Sequence, residues 1–279
     1  MRELQASLIT QALREMAMSS NFNIGEDVLE ALKKAVRTEE SPTGREILEQ
    51  IIENDRIARS EQVPMCQDTG FAVVLLEVGQ DVHIQGDLRE AVNEGIRQGY
   101  KEGYLRKSIL GDPIKRVNTK DNTPAVIHAE LVPGDKVTVR FAAKGGGSEN
   151  MSRIKMMPPS AGVEGVKKFV VETVAEAGSN PCPPILVGVG IGGTFEQCAL
   201  LAKKALFRKV GERNPDPYYA DLERELLTLA NKTGVGPQGL GGTTTALDVF
   251  VLTYPCHIAS FPAAVNIQCH AARHEERVL

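Results

Sequence analysis

Three of the five cysteines lie in loops or at strand ends with polar neighbours. They are Cys66 in Pro-Met-Cys-Gln-Asp-Thr-Gly, Cys182 in Asn-Pro-Cys-Pro-Pro and Cys269 in Ile-Gln-Cys-His-Ala-Ala-Arg-His. Cys198 sits in the helical stretch EQCALLAKKAL and reads as a small buried hydrophobe, while Cys256, in TYPCH, is intermediate. No CxxC spacing occurs, which excludes zinc ribbons and thioredoxin-type redox pairs. An odd cysteine count in a chain of 279 residues also argues against a disulfide framework. Three loop thiolates are one fewer than the four that hold an electron-transfer [4Fe–4S] centre. A cluster held that way keeps an iron position open, and an open metal position can act as a Lewis acid on a hydroxyl or carboxylate. Scattered structural cysteines are the alternative reading of the same residues.

Other side chains could take part. Asp68, in Asp-Thr-Gly, is either a turn former or a functional carboxylate. Arg106, in Tyr-Leu-Arg-Lys-Ser, offers a planar guanidinium that suits a bidentate carboxylate contact; a solvated helix-end charge is its bland alternative. Lys144 to Ser148 form Lys-Gly-Gly-Gly-Ser, which matches neither the P-loop nor the dinucleotide spacing and could simply be a flexible hairpin end. His270 and His274 flank Arg273 and read as supporting or surface residues. His128 reads as structural and His83 as a loop residue.

The elements that must position these residues follow from periodicity. Residues 1–60 are expected to be helical: Leu4, Leu8, Ile9, Leu13 and Met16 form one stripe, and Val28, Leu29, Leu32 and Val36 another. Thr43 and Glu46 have capping-box spacing for a helix running to about Arg59. FAVVLLEV (71–78) is a buried strand, Asp87 opens a helix, and AVIHAELV with KVTVRFAA flank Pro133-Gly134-Asp135 as a hairpin signal. Helices are expected near 162–177, with Val163, Val166, Val170 and Val174 in step, and near 194–208 and 216–232; ILVGVGIGG reads as a short buried strand running into a glycine turn, and ALDVFVLTYP and AAVNIQ as late strands. The fold class is therefore α+β, a helical N-terminal part followed by a mixed α/β domain. We expect a single domain over 1–279, with 1–60 as helical scaffold and 61–279 as the cluster- and substrate-binding part. Glycine and proline gather at CQDTG, KGGGSEN, SNPCPP, GVGIGG, GVGPQGLGGTTT and TYPCH. Such loops let backbone amides approach a ligand, so one composite site with glycine-rich loops around a cluster is expected; GVGIGG and GPQGLGG are expected to shape its cavity.

The net charge of −4 leaves no basic footprint for nucleic acid. No stretch is apolar enough to span a membrane, and the N-terminus reads as an amphipathic helix rather than a signal peptide. A reducing, cytoplasmic location is expected.

The segments CQDTG, LRKS, AAKGGGSENMS, NPCPP, VGVGIGG, GPQGLGG, TYPCHIAS and QCHAARH, in this order, resemble the alpha part of class I (iron–sulfur) fumarate hydratases, over nearly the whole chain. The resemblance implies a [4Fe–4S] cluster held by Cys66, Cys182 and Cys269, with the fourth iron binding a small dicarboxylate. It implies that Gln67 and Asp68 hydrogen-bond the substrate carboxylate and hydroxyl, that Arg106 grips a carboxylate, that the Gly146 amide touches substrate, and that His257 is a substrate-site histidine. Asp68 and His257 are thus the catalytic candidates. The implied reaction is reversible hydration of fumarate to L-malate. In the single-chain relatives the base is a threonine of a following C-terminal domain. Ten residues follow Cys269 here, so a beta subunit supplying the base, in a heterotetramer, is expected. The alternatives are the alpha subunit of L-tartrate dehydratase, from the same superfamily, and a non-catalytic iron–sulfur binding subunit.

Overall fold

The two apolar runs at 71–78 and 185–191 become central strands of two separate sheets, because a strand apolar on both faces needs cover on both. The computed structural model describes residues 1–279. In chain order the first elements are β1 (Arg2–Gln5), α1 (Ala6–Phe22), α2 (Glu26–Thr38), α3 (Pro42–Glu61), β2 (Phe71–Gly79), β3 (Val82–Gln85), α4 (Leu88–Glu102), β4 (Leu110–Asp112), β5 (Val117–Asn118), β6 (Val126–Val132) and β7 (Val137–Lys144). There follow α5 (Gly146–Glu149), β8 (Arg153–Met157), α6 (Gly162–Ala177), β9 (Ile185–Gly192), α7 (Phe195–Ala205), α8 (Pro217–Asn231), β10 (Ala246–Tyr254), β11 (Phe261–Gln268) and β12 (His274–Val278). This is the mixed helix-and-sheet class that the sequence predicts. No helix is long and apolar enough to cross a membrane.

The chain divides into two units. The first contains Met1–Gly25, Asn54–Gly146 and Arg273–Leu279; the second contains Glu26–Glu53 and Gly147–Ala272. The helical residues 1–60 are thus shared between them, and α3 runs through the division.

In the first unit the sheet order is β12-β7-β2-β6. Its core joins Leu13 and Met16 of α1, Val92 and Ile96 of α4, and Val74, Leu76, Val139 and Phe141 of the sheet. Asp87 caps α4 as expected, its carboxylate accepting from Glu90 N at 2.9 Å. The hairpin expected across Pro133-Gly134-Asp135 does not form. β2 lies between β6 and β7, parallel to the first and antiparallel to the second. The 133–136 turn instead straddles the end of β2, where Gly79 N donates to Lys136 O (2.8 Å) and Gln80 N to Val132 O (2.9 Å). An apolar strand buried on both faces outcompetes a local pairing of two half-exposed ones.

Two expectations for the N-terminal part also shift. Residues 2–5 are a strand, paired in parallel with β3, and α1 starts only at Ala6. The cap of α3 is Ser41, whose Oγ accepts from Gly44 N at 3.1 Å, not Thr43. Pro42 fixes the start, since its missing N–H and preset φ suit the first helical position.

In the second unit the order is β10-β9-β11-β8, with β9 parallel to β10 and antiparallel to β11. The strand expected in ILVGVGIGG forms as β9 and runs through Gly192, so most of GVGIGG is strand and not the cavity loop also expected of it. A Cβ on Gly188 or Gly190 would lie 2.1 Å from Ala202 O or Cys198 O, so these glycines let α7 press directly onto β9. Glu39, buried before α3, holds the 243–244 backbone: its carboxylate accepts from Thr243 N (2.9 Å) and Thr244 N (2.7 Å).

Candidate functional site

In the first unit the chain leaves α3 and reaches the Cys-Gln-Asp-Thr-Gly turn, held by hydrogen bonds from several sides. Asn54 Nδ2 donates to Met65 O at 2.9 Å, and Met65 N donates to Asn21 O at 3.0 Å. Asp68 then forms an Asx turn, Oδ1 accepting from Gly70 N at 3.0 Å, while Oδ2 accepts from Gly146 N at 2.8 Å. The Gly146 amide, which the resemblance assigns to substrate, therefore meets Asp68. Gly70 has φ 72°, and a Cβ there would lie 2.7 Å from the Lys144 backbone, so only glycine fits.

Thr69 joins this turn to the next candidate. Its buried hydroxyl accepts from Arg106 N (2.9 Å) and donates to Arg106 O (3.3 Å). The Arg106 residue is left exposed, as is Gln67 two positions before Thr69. Tyr100 OH donates to Thr69 O at 2.7 Å and to Gly70 O at 3.2 Å. Burial raises the Tyr100 phenol above its ordinary pKa, so it stays a donor. Asn122, fully buried at φ 64°, donates to Gly70 O at 3.2 Å and accepts from Ser108 N at 2.7 Å. Cys66 is half-buried and its thiol donates to Gln67 Oε1 at 3.4 Å. The first unit thus brings Cys66, Gln67, Asp68, Arg106 and Gly146 onto one framework.

In the second unit the Cys182 and Cys269 segments are neighbours: His270 N donates to Cys182 O at 3.4 Å. Cys182 has φ 54° and is exposed, with Pro183 and Pro184 buried after it. Gln238 fixes that stretch, donating to Pro183 O through its amide N (2.8 Å) and its side chain (3.0 Å). The GPQGLGG segment therefore shapes the Cys182 turn. Cys269 is half-buried, with its thiol 3.6 Å from Ala271 O. No cysteine is in a disulfide. Cys198 matches its expectation: it is buried on α7 and donates to Phe195 O at 3.3 Å, and burial pushes its thiol pKa up.

His257 lies in the exposed stretch 253–259. Its Nδ1 accepts from Ala259 N at 3.1 Å, so the neutral ring carries its proton on Nε2 and presents a donor outward. A groove of ≈ 530 Å³ beside it is lined by Met156, Phe195, Tyr254, Cys256, His257 and Ser260, among others.

The framework residues Tyr100, Asn122, Gln238 and Arg273 escape sequence reasoning. A tyrosine on an amphipathic helix reads as core, and Asn122, before Thr123-Pro124, reads as an ordinary turn residue. Arg273 is almost fully buried and donates to Asp68 O at 2.5 Å and to Asn21 Oδ1 at 3.1 Å.

A model of the family described as Fumarate hydratase (Fumerase) matches residues 10–278, which contain every candidate residue above. The chain belongs to the fumarate hydratase family. Among similar members of this hydro-lyase family, "Putative L(+)-tartrate dehydratase subunit alpha" of Methanocaldococcus jannaschii is 43% identical over 272 residues, covering 95% of each chain. The L(+)-tartrate dehydratase subunit alpha of Escherichia coli (strain K12) is 32% identical over 269 residues, covering 95% of this chain and 88% of its own length.

Proposed function

We propose that this chain is the alpha subunit of a hydro-lyase that removes water from a four-carbon hydroxy-dicarboxylate, with L(+)-tartrate as its better-supported substrate. The observation that carries the reading is the Cys66–Gly70 turn. In a member of this family it offers a thiol, a carboxylate oriented by two backbone amides (2.8 and 3.0 Å) and a neighbouring exposed arginine on one rigid support. The names of the relatives favour tartrate. L-malate and fumarate are the second reading, favoured by the family description and by the AAKGGGSENMS and QCHAARHEE segments.

We further propose that Cys66, Cys182 and Cys269 hold a [4Fe–4S] cluster. The donor set fits: all three are outside disulfides, lie in turns or at a strand end, and keep some exposure, whereas Cys198 is packed away in a helix. When bound, the cluster supplies a Lewis-acidic iron for the departing hydroxyl. The chain's own residues do the rest. Arg106 and Gln67 bind a substrate carboxylate, the guanidinium by two parallel hydrogen bonds. Asp68 orients the hydroxyl; its own orientation is set in advance by Gly70 N and Gly146 N, so no reorganisation is needed when substrate arrives. His257 donates to substrate through Nε2–H.

The base that removes the proton next to the carboxylate comes, in this reading, from a beta subunit, as the "subunit alpha" names of the relatives suggest. Further support is the apolar character of the surface near His257, where Phe195, Tyr254 and Ile258 are 61%, 56% and 91% exposed. A surface of that kind marks an interaction site. The deciding experiment is anaerobic steady-state kinetics of the co-purified two-chain complex. Dehydration of L(+)-tartrate with a kcat/KM at least tenfold above that for L-malate supports the main reading. The reverse ratio establishes the second, and no turnover of either refutes both.

A further inference from the structure

Arg273 is the largest of the fully buried side chains, with 1% relative exposure. Burying a guanidinium is expensive unless its donors and its charge are matched. Here the two acceptors it meets are both neutral: Asp68 O at 2.5 Å and Asn21 Oδ1 at 3.1 Å. Its Nε is buried with no hydrogen-bond partner. An arginine kept at such cost for packing alone would be replaced without loss by an apolar chain of similar volume. Its surroundings point to another use.

Each contact of Arg273 bears on the Asp68 turn. Asn21 is not a casual acceptor: its own Nδ2 donates to Ala17 O at 2.8 Å, which turns Oδ1 towards the guanidinium, and its carbonyl receives Met65 N at 3.0 Å. The arginine backbone is fixed as well, since Ala143 N donates to Arg273 O at 3.0 Å just before β12 begins. On the far side, a Cβ at Gly145 would lie 3.2 Å from Asp68 Oδ2 and 3.4 Å from Arg273 Nη2. The carboxylate and the guanidinium therefore flank the same backbone position, next to the Gly146 amide that Asp68 uses. Asp68 is gripped at both ends, by its carbonyl through Arg273 and by its carboxylate through Gly146 N.

We infer that Arg273 is a positioning residue of the active site: from the protein interior it sets the orientation of the Asp68 carboxylate by holding the Asp68 carbonyl against Asn21. It does not touch substrate itself. The inference rests on the proposed role of Asp68 in binding the hydroxy-dicarboxylate. Displacing a reacting group by about 1 Å costs on the order of 100-fold in rate, so the effect should fall on kcat more than on KM.

The test uses the two-chain complex carrying Arg273→Met, which keeps much of the volume, and Arg273→Lys, which keeps the charge and a single donor nitrogen. Three readouts are compared with the native complex: amide hydrogen exchange, the kcat-against-KM split, and iron and sulfide content. For Arg273→Met we expect the peptides containing the Gly70 and Gly146 amides to exchange about tenfold faster. We also expect kcat to fall about 100-fold, with KM within about threefold and iron content unchanged. Arg273→Lys should recover at least a third of the lost exchange protection. Unchanged exchange at both amides overturns the inference, and so does a uniform acceleration across the whole first unit, which would mark a merely structural residue. If Arg273→Met does not fold, Asn21→Ala removes one acceptor and leaves the arginine; it should loosen the same two amides, and failure to do so is equally fatal. Absence of turnover in the native complex would refute the proposed function alone, because the exchange result stands without it.

Discussion

In the 66–70 turn, almost every group that could wander is held by a residue distant in sequence. Tyr100 and Asn122 hold the Thr69 and Gly70 carbonyls, Arg273 holds that of Asp68, and Gly146 N holds the Asp68 carboxylate. The 254–260 loop, which carries His257, is made differently. The hydrogen bonds that shape it are local: Ala259 N to His257 Nδ1, Ser260 N to His257 O, and the Cys256 thiol to Ser260 O. Its Ile258 is 91% exposed. The first region is preorganised, and its cost is met within its own unit by buried donors. The second has few tertiary anchors and an apolar tip, which is the profile of a segment completed by contact with something else.

The comparison can be broken or sharpened experimentally. The largest effect is expected from Cys66→Ser. If the framed turn carries a cluster ligand, iron and sulfide in the anaerobically purified complex should drop severely and kcat/KM should fall about 1,000-fold or more. Full iron content in this variant would remove Cys66 from the ligand set and leave the turn a structural device.

Next in size is Asp55, close in sequence to the Asn54 that anchors Met65. Its carboxyl is buried and its pKa is pushed up to about 7, chiefly by burial, against the pull of the Asn54 side chain and the Arg59 charge. In the unfolded chain the group titrates near an ordinary aspartate value of about 3.9. Between that value and about 7 the unfolded state loses its proton first, so this group's contribution lowers stability as pH rises through the window, and the loss is complete above it. Asp55→Asn should flatten that slope. It should also raise unfolding stability at pH 8 by on the order of 2–4 kcal/mol, read by urea titration at pH 4.5 and pH 8. An unchanged slope would place the proton elsewhere.

Tyr100→Phe probes the framework directly. It removes the donor to Thr69 O and leaves a buried carbonyl less satisfied, at a cost of about 1–2 kcal/mol. The loss should appear in thermal unfolding together with faster exchange at Gly70. The smallest effect on the isolated chain belongs to Ile258→Ser in the loose loop, where stability should move by less than about 0.5 kcal/mol. In the two-chain complex the same change should weaken association about tenfold. Loss of stability without loss of association would reverse the contrast between the two regions.

Much of this was legible in residue types and order. The apolar runs of β2 and β9, the Asp87 cap of α4 and the stripes of α1 and α6 follow from local periodicity, and a chain has that whatever its tertiary arrangement. The motif order from CQDTG to QCHAARH was enough to place the chain in its family. Pairing was not legible. The Pro133-Gly134-Asp135 turn carries a hairpin's chemistry, yet β2 intervenes, because strand partners are chosen by burial of both faces and not by proximity in sequence. The strand in ILVGVGIGG was legible but the purpose of its glycines was not: they were expected to shape a cavity, and the requirement Gly188 and Gly190 meet is the approach of α7, which lies ahead of them in the chain.

The sequence by itself determined which side chains could do chemistry here: the loop thiols, Asp68, Arg106 and His257, with the identities of their neighbours. Only the tertiary structure decided that Asp68 would be oriented by Gly146, that Thr69 would carry Arg106, and that an arginine 205 residues away would hold the turn from inside. The reason is that hydrogen-bond geometry is a property of distance in space. Asn21, Asp68 and Arg273 share no pattern along the chain and become one device only when α1, the turn after α3 and the start of β12 pack together.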